Sequence, residues 1–165
     1  MKIYIIGAVA SGKTTLAKTL SGKLEMPYYS LDEVVHLSDA QSSIGNTRRT
    51  IAEQEQLFSH ILKQDNYIIE DVGRPQFIEG LHRADCILFL DFPVFQRYKR
   101  VIFRWLKQKI GLEKANYQPT LSMLLKMLKW ANTSPETLIQ PFLSKTITLR
   151  NQTDIQNYIK IVKIK

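Results

Sequence analysis

The sequence predicts an α/β protein of three layers, in which helices cover both faces of a five-stranded parallel sheet. Short apolar runs typical of strands alternate along the chain with segments whose apolar residues recur at helical spacing. One of these runs, residues 86–90, is almost entirely apolar, as expected for a strand that is covered on both faces. A chain of 165 residues is long enough for one domain with a sizeable core, predicted as 1–165.

The predicted elements follow in order from the N-terminus. Strands are expected at 2–6, 26–31, 67–69, 86–90 and 146–149. Helices are expected at 14–23, 50–63, 75–82, 94–110, 121–130 and 153–161. The polar stretch 33–46 predicts a short helix followed by a mobile loop.

Residues 7–14 join the first strand to the first helix and fit the phosphate-loop pattern G-x-x-x-x-G-K-[ST]. Two glycines allow a tight turn and a close approach of the backbone to a phosphate, and the N-terminus of the following helix favours an anion. We expect Lys13 to reach the β- and γ-phosphates of ATP and the Thr14 hydroxyl to hold Mg²⁺. The predicted nucleotide-binding residues are Gly7, Ala8, Val9, Ala10, Ser11, Gly12, Lys13, Thr14 and Thr15.

Charged residues follow the predicted strands where ligands bind in a parallel sheet, beyond the carboxyl ends. Asp32 follows the second strand, Glu70 and Arg74 follow the third, and Asp91 follows the fourth. Phosphoryl transfer needs a carboxylate near Mg²⁺ and arginines that neutralise the transferred group. Asp32 is expected to serve the acceptor, the alternative being a helix cap. A hydroxyl acceptor would need Asp32 as a general base, whereas a phosphate acceptor would need arginines and no base. Asp91, just before a proline, is more typical of a turn or cap.

Further arginines lie outside the strand ends. Arg100 and Arg104 are four residues apart on a basic helix, so they share a face and are expected to stabilise the transferring charge, the alternative being surface charge. Arg48 and Arg49 follow the predicted loop, where they would bind an anionic acceptor or begin a solvated helix.

The amino-acid composition limits which partners and which cellular compartment are expected. The net charge of +8 favours polyanions such as nucleotides or nucleic acid, although a solvated basic surface has the same signature. The apolar N-terminal run continues into the phosphate loop and is predicted to be a core strand, not a signal peptide. No run reaches the ~18 apolar residues of a membrane span. We therefore expect a cytoplasmic protein without a membrane partner.

Several of these motifs together resemble those of a known group. The phosphate loop, residues 70–74, residues 90–93 and the pair Arg100 and Arg104 resemble the nucleoside monophosphate kinases, the adenylate kinase-like group. Over nearly its full length the chain looks more like the small P-loop proteins called FlaR-type or DNA topology modulation proteins, chiefly through residues 111–120. This resemblance implies a P-loop NTPase fold with a short helical lid at about 100–135.

The resemblance also implies roles for particular residues. Glu70 would lie near Mg²⁺, and Arg74 would hold a phosphate of the acceptor. Arg100 and Arg104 would belong to the lid and contact the nucleotide phosphates. Asp71 departs from the kinase pattern, which has glycine there, so that a carboxylate stands where the backbone would be bare.

The sequence therefore predicts an Mg²⁺-dependent kinase that transfers the γ-phosphate of ATP to a nucleotide- or nucleoside-like acceptor. The alternative is a nucleotide-binding regulator associated with DNA topology and lacking turnover, with residues 97–109 and 160–165 contacting DNA phosphates. No motif that reads bases accompanies these basic segments. A kinase requires that Lys13, Asp32, Glu70 and Arg74 converge on one cleft.

Overall fold

A computed structural model describes residues 1–38, 46–113 and 119–162. The strands are β1 (Lys2–Gly7), β2 (Tyr28–Ser30), β3 (His36–Ser38), β4 (Asn46–Arg48), β5 (Tyr67–Asp71), β6 (Cys86–Leu90) and β7 (Thr146–Leu149). The helices are α1 (Lys13–Leu24), α2 (Leu31–Val35), α3 (Ile51–Leu62), α4 (Ile78–Arg83), α5 (Val94–Lys109), α6 (Leu121–Ala131), α7 (Glu136–Ile139) and α8 (Gln152–Ile161). Two 3₁₀ turns, Pro75–Phe77 and Gln140–Lys145, precede α4 and β7.

The main sheet has five parallel strands in the order β2-β5-β1-β6-β7. Alternate residues of the central strand β1 enter two separate cores. Tyr4 and Ile6 pack with side chains of α2, α3 and α4 on one face, whereas Ile3 and Ile5 pack with α1 and α8 on the other. Because each face is covered by helices, the predicted α/β class with three layers is confirmed.

The phosphate loop begins where the central strand ends. A Cβ atom on Gly7 would lie 2.7 Å from the carbonyl oxygen of Leu90, so β6 leaves no room for a side chain there. Gly12 has φ +100°, a left-handed conformation that favours glycine, and α1 begins at the next residue, Lys13. The predicted sequence of strand, glycine loop and helix is therefore confirmed.

The stretch predicted as a short helix and a mobile loop folds differently in part. Helix α2 is present, but β3 and β4 then pair as an antiparallel ribbon, with His36 opposite Arg48. The expectation of a loop is wrong for Ser38 and Asn46, which pair in this ribbon, while 39–45 lie outside the described residues. Three-residue strands of mostly polar sequence carry no alternation from which they could be predicted.

Helices α5 and α6, which cover much of the predicted lid at 100–135, pack against each other. The indole N–H of Trp105 lies 3.1 Å from the carbonyl oxygens of both Pro119 and Thr120, which ties α5 to the start of α6. Of the 111–120 stretch, residues 114–118 lie outside the described part. None of the helices in the described ranges is long and apolar enough to cross a membrane.

Candidate functional site

Lys13 lies inside the phosphate loop with only 7% of its surface exposed. Its Nζ donates a hydrogen bond of 2.8 Å to the carbonyl oxygen of Ala8, at the start of the loop. Burial lowers the pKa of Lys13, and the carboxylates of Glu70, Asp32 and Asp71 oppose this shift. The ammonium group is thus close enough to all three strand-end carboxylates to interact with them.

Thr14 and Glu70 form the next part of the site. The Thr14 Oγ1 lies 2.8 and 2.9 Å from the two carboxylate oxygens of Glu70, which is 5% exposed at the end of β5. Burial raises the pKa of Glu70, while the hydrogen bond from Thr14 and the charge of Lys13 lower it. A hydroxyl beside a carboxylate is an oxygen donor set of the kind that Mg²⁺ prefers, so these residues fit that ion.

Asp71 turns its carboxylate into the protein, where it is 2% exposed. Its Oδ2 accepts hydrogen bonds from the backbone N–H groups of Gly73 at 2.9 Å and Arg74 at 2.6 Å. Its Oδ1 pairs with Nη1 of Arg74, and the buried hydroxyl of Tyr4 also hydrogen-bonds to the carboxylate. Asp71 is therefore fully engaged in holding the loop that follows β5.

Arg74 joins two carboxylates. Its Nη1 pairs with Asp71 and its Nη2 with Oδ1 of Asp32, at the end of β2. Burial alone would lower the pKa of Arg74, but the two carboxylates outweigh that effect and raise it. The side chain of Arg74 is 19% exposed and that of Asp32 is 64% exposed, so Asp32 is the member of this group that faces solvent.

The two arginines of α5 occupy different places. Arg100 Nη1 donates to the carbonyl oxygens of Ser11 at 2.8 Å and Ala10 at 3.3 Å, and its guanidinium lies 4.3 Å from the centre of the Phe92 ring. Burial lowers the pKa of Arg100. Arg104, one turn further, pairs with Glu113 at 2.9 Å and is half-exposed. The structure thus brings Arg100, but not Arg104, to the phosphate loop.

A groove of about 300 Å³ lies beside the loop, between α1 and α8. Ser11, Gly12 and Thr15 of the loop and of α1 line one side, and Gln152 and Gln156 of α8 line the other. Leu16, Ile155 and Ile159 complete the lining, so the groove offers both apolar contacts and hydrogen-bonding groups to a nucleotide.

The remaining candidates, Arg48, Arg49 and Asp91, lie outside this group of side chains. The Arg49 guanidinium donates to the carbonyl oxygens of Glu33 and, at 3.2 Å, of His36, so it caps the C-terminus of α2. Arg48 is exposed on β4. Asp91 lies 3.6 Å from Arg150 in an exposed ion pair.

Sequence reasoning did not assign the roles of Asp71, Tyr4 and His36. One signal for Asp71 was present: aspartate two residues before glycine is typical of a turn in which the carboxylate accepts the glycine N–H, as Asp71 does from Gly73. His36 interacts electrostatically with Asp32 and Arg74, which places it beside them. No local pattern points to Tyr4 or to His36, because their contacts come from other strands and loops.

Comparisons with known proteins agree with the architecture. No protein-family model matches the sequence. No curated protein matches it either. Solved structures do match. A putative kinase from Chloroflexus aurantiacus is 18% identical with a TM-score of 0.61, covering 96% of this chain and 95% of that one. A sugar kinase from a Janibacter species is 15% identical with a TM-score of 0.58, covering 96% and 90%.

The shikimate kinase of Acinetobacter baumannii, solved with shikimate, is 19% identical with a TM-score of 0.56 over 96% of this chain and 88% of that one. The chain shares the fold of these kinases. At these identities the likeness shows the fold alone. The resemblance to the DNA topology modulation proteins stays a prediction, because none of these comparisons bears on it.

Proposed function

We propose that the protein is an ATP- and Mg²⁺-dependent kinase that phosphorylates a hydroxyl group of a small, nucleotide- or nucleoside-like molecule. One observation carries the proposal: Asp32 and Arg74 form an ion pair beyond the phosphate loop, within electrostatic reach of Lys13. A protein that only binds a nucleotide has no need of a paired carboxylate and guanidinium at this position. The pair supplies an acceptor site next to the γ-phosphate.

The nucleotide side of the site would work as follows. Lys13 leaves the Ala8 carbonyl oxygen and pairs with the β- and γ-phosphates, which the loop N–H groups also bind. Thr14 and Glu70 would hold Mg²⁺, which neutralises phosphate charge when bound. The groove between α1 and α8 accommodates the remainder of the nucleotide.

The acceptor side relies on Asp32 and the guanidinium groups. Asp32 is exposed and accepts the proton of the acceptor hydroxyl, as a general base. Arg100, already at the loop carbonyls, is placed to turn toward charge that develops on the transferred phosphoryl group. Arg104 would join it only if α5 and its neighbours move toward the loop, because its partner is now Glu113.

The arginines of α5 have partners within the protein, whereas its lysines Lys99, Lys107 and Lys109 are exposed. The guanidinium of Arg97 is buried and lies 3.4 Å from the carbonyl oxygen of Thr133, while Arg100 contacts the loop and Arg104 pairs with Glu113. Phosphate contacts along DNA require free basic side chains on one face. No observation on the described residues favours DNA contacts over a solvated basic surface, so we do not propose the DNA-associated alternative.

The test is phosphoryl transfer by the purified protein with MgATP, over a panel of nucleosides, nucleoside monophosphates, sugars and small hydroxy acids. Phosphorylated products are identified by mass spectrometry. Lys13→Ala should abolish transfer, whereas Lys18→Ala, an exposed lysine on the same helix, should leave it unchanged. ATP binding without transfer to any acceptor would refute the proposal.

A further inference from the structure

We infer that the acceptor is a neutral or cationic alcohol, and that Asp71 sets this preference by neutralising the arginine of the acceptor site. The inference rests on the proposed function and names the chemical class of its substrate. It differs from the expectation that Arg74 binds an acceptor phosphate. Three observations support it: the pairing of Arg74, the engagement of the neighbouring cations, and the burial of Asp71.

Arg74 has little capacity left for an anion. Its two terminal nitrogens each pair with a carboxylate, one from Asp71 and one from Asp32. One guanidinium between two carboxylates leaves this group with a net charge of −1. A phosphate or carboxylate on the acceptor would have to displace Asp32 and would then lie beside two like charges.

Most other cations around the site have partners within the protein. Among the described residues, Lys13 faces the phosphate loop, Arg100 donates to the loop carbonyls, and Arg49 caps α2. His36 interacts electrostatically with Asp32, Arg74 and Arg48, and burial lowers its pKa, which disfavours its charged form. These contacts leave the group of Asp71, Arg74 and Asp32 with its net negative charge, and Arg48, exposed on β4 opposite His36, is not paired with this group.

Asp71 acts on the acceptor only through Arg74. Its carboxylate receives hydrogen bonds from two backbone N–H groups, from the Arg74 side chain and from Tyr4, and it is 2% exposed. A carboxylate so enclosed does not reach a substrate. It is a positioning residue, which holds Arg74 against Asp32 and cancels one unit of positive charge.

Asp32 is then the group that meets the acceptor. As the hydroxyl oxygen forms a bond to the γ-phosphorus, its proton passes to Asp32. The bond from that phosphorus to the bridging oxygen breaks, and ADP leaves with the electron pair. Arg74 keeps Asp32 oriented for this step, and a hydroxyl or ammonium group on the acceptor can hydrogen-bond to the Asp32 carboxylate.

The experiment compares acceptors that differ only in charge. Each nucleoside is paired with its monophosphate and each sugar with its acid, and an amino sugar is added. We expect kcat/KM for the neutral or cationic member to exceed that of its anionic partner by about 10-fold or more, equivalent to about 1.4 kcal/mol. Better transfer to the anionic member would overturn the inference while leaving the kinase proposal intact. Transfer to none of the acceptors would overturn both.

Variants separate the charge of Asp71 from its structural role. Asp71→Asn keeps the size of the side chain and removes its charge, so the preference for the neutral member should fall about 10-fold. Tyr4→Phe removes one hydrogen bond to Asp71 without changing the charge, so kcat should fall and the preference should persist. Tyr67→Phe is the matched control, because this buried hydroxyl has no hydrogen-bond partner among the described residues. An unchanged preference in a folded Asp71→Asn protein would refute the role of Asp71. If that variant does not fold, the ratio of kcat/KM for the neutral and the anionic acceptor in the unmodified protein decides whether the acceptor class is as inferred.

Discussion

Replacing Gly73 by alanine should destabilise the protein through two separable effects. Gly73 has φ +98°, where a residue with a side chain costs about 1–2 kcal/mol. Its added Cβ would also lie 2.3 Å from the Cβ of Pro135, a rigid ring that precedes α7. Overpacking of this kind costs about 1–3 kcal/mol. We therefore expect Gly73→Ala to lower the free energy of unfolding by about 3 kcal/mol.

Gly111→Ala is the matched control for backbone strain. Gly111 has φ +75°, but no described atom lies within 4 Å of a Cβ built there. This variant should lose only about 1–2 kcal/mol. Urea unfolding followed by circular dichroism measures both free energies. Equal losses in the two variants, within about 0.5 kcal/mol, would refute the packing of Pro135 against Gly73.

Three other features carry predictions of their own. Hydrogen bonds from Thr50 lower the pKa of Glu53 in the folded protein. The ionised Glu53 therefore stabilises the folded protein at pH values above 4.5, its ordinary pKa, and this stabilisation is lost as the pH falls through the lower pKa of the folded state. Glu53→Gln should therefore lower Tm at pH 7 and progressively less below pH 4.5, and an equal loss at every pH would contradict this. Burial raises the pKa of the Cys86 thiol, so its alkylation at pH 7.5 should be about 10-fold or more slower than in the urea-unfolded chain. Arg100→Ala should lower kcat about 100-fold or more, whereas Arg104→Ala should change it far less, and similar losses would show that both arginines reach the site.

The parts of the fold that were predictable are those encoded by consecutive residues. The phosphate loop and the apolar run of β6 each occupy fewer than ten positions and need no distant contact to be recognised. The antiparallel ribbon of β3 and β4 could not be predicted, because it is defined by pairing across residues 39–45. The order of the strands is likewise a long-range property, which alternation of strands and helices does not determine.

The same distinction applies to the site. Arg100 and Arg104 look equivalent in the sequence because four residues bring side chains to one face of a helix. Four residues also advance about 6 Å along the helix axis, and this distance separates contact with the loop from contact with Glu113. For Asp71, the direction of the carboxylate depends on Tyr4 in a neighbouring strand and on the left-handed turn at Gly73.

The contact of Trp105 with the start of α6 provides an intrinsic fluorescent reporter for this part of the protein. The chain has two tryptophans, and both belong to the α5–α6 pair: Trp105, bound to the backbone of residues 119 and 120, and Trp130, half-exposed on α6. Neither lies in the sheet or its two cores. Tryptophan fluorescence, excited selectively over tyrosine, therefore monitors these two helices, and Trp130→Phe would leave one tryptophan at their junction. Addition of ATP to that variant would follow any displacement of α6 from α5 without an extrinsic label.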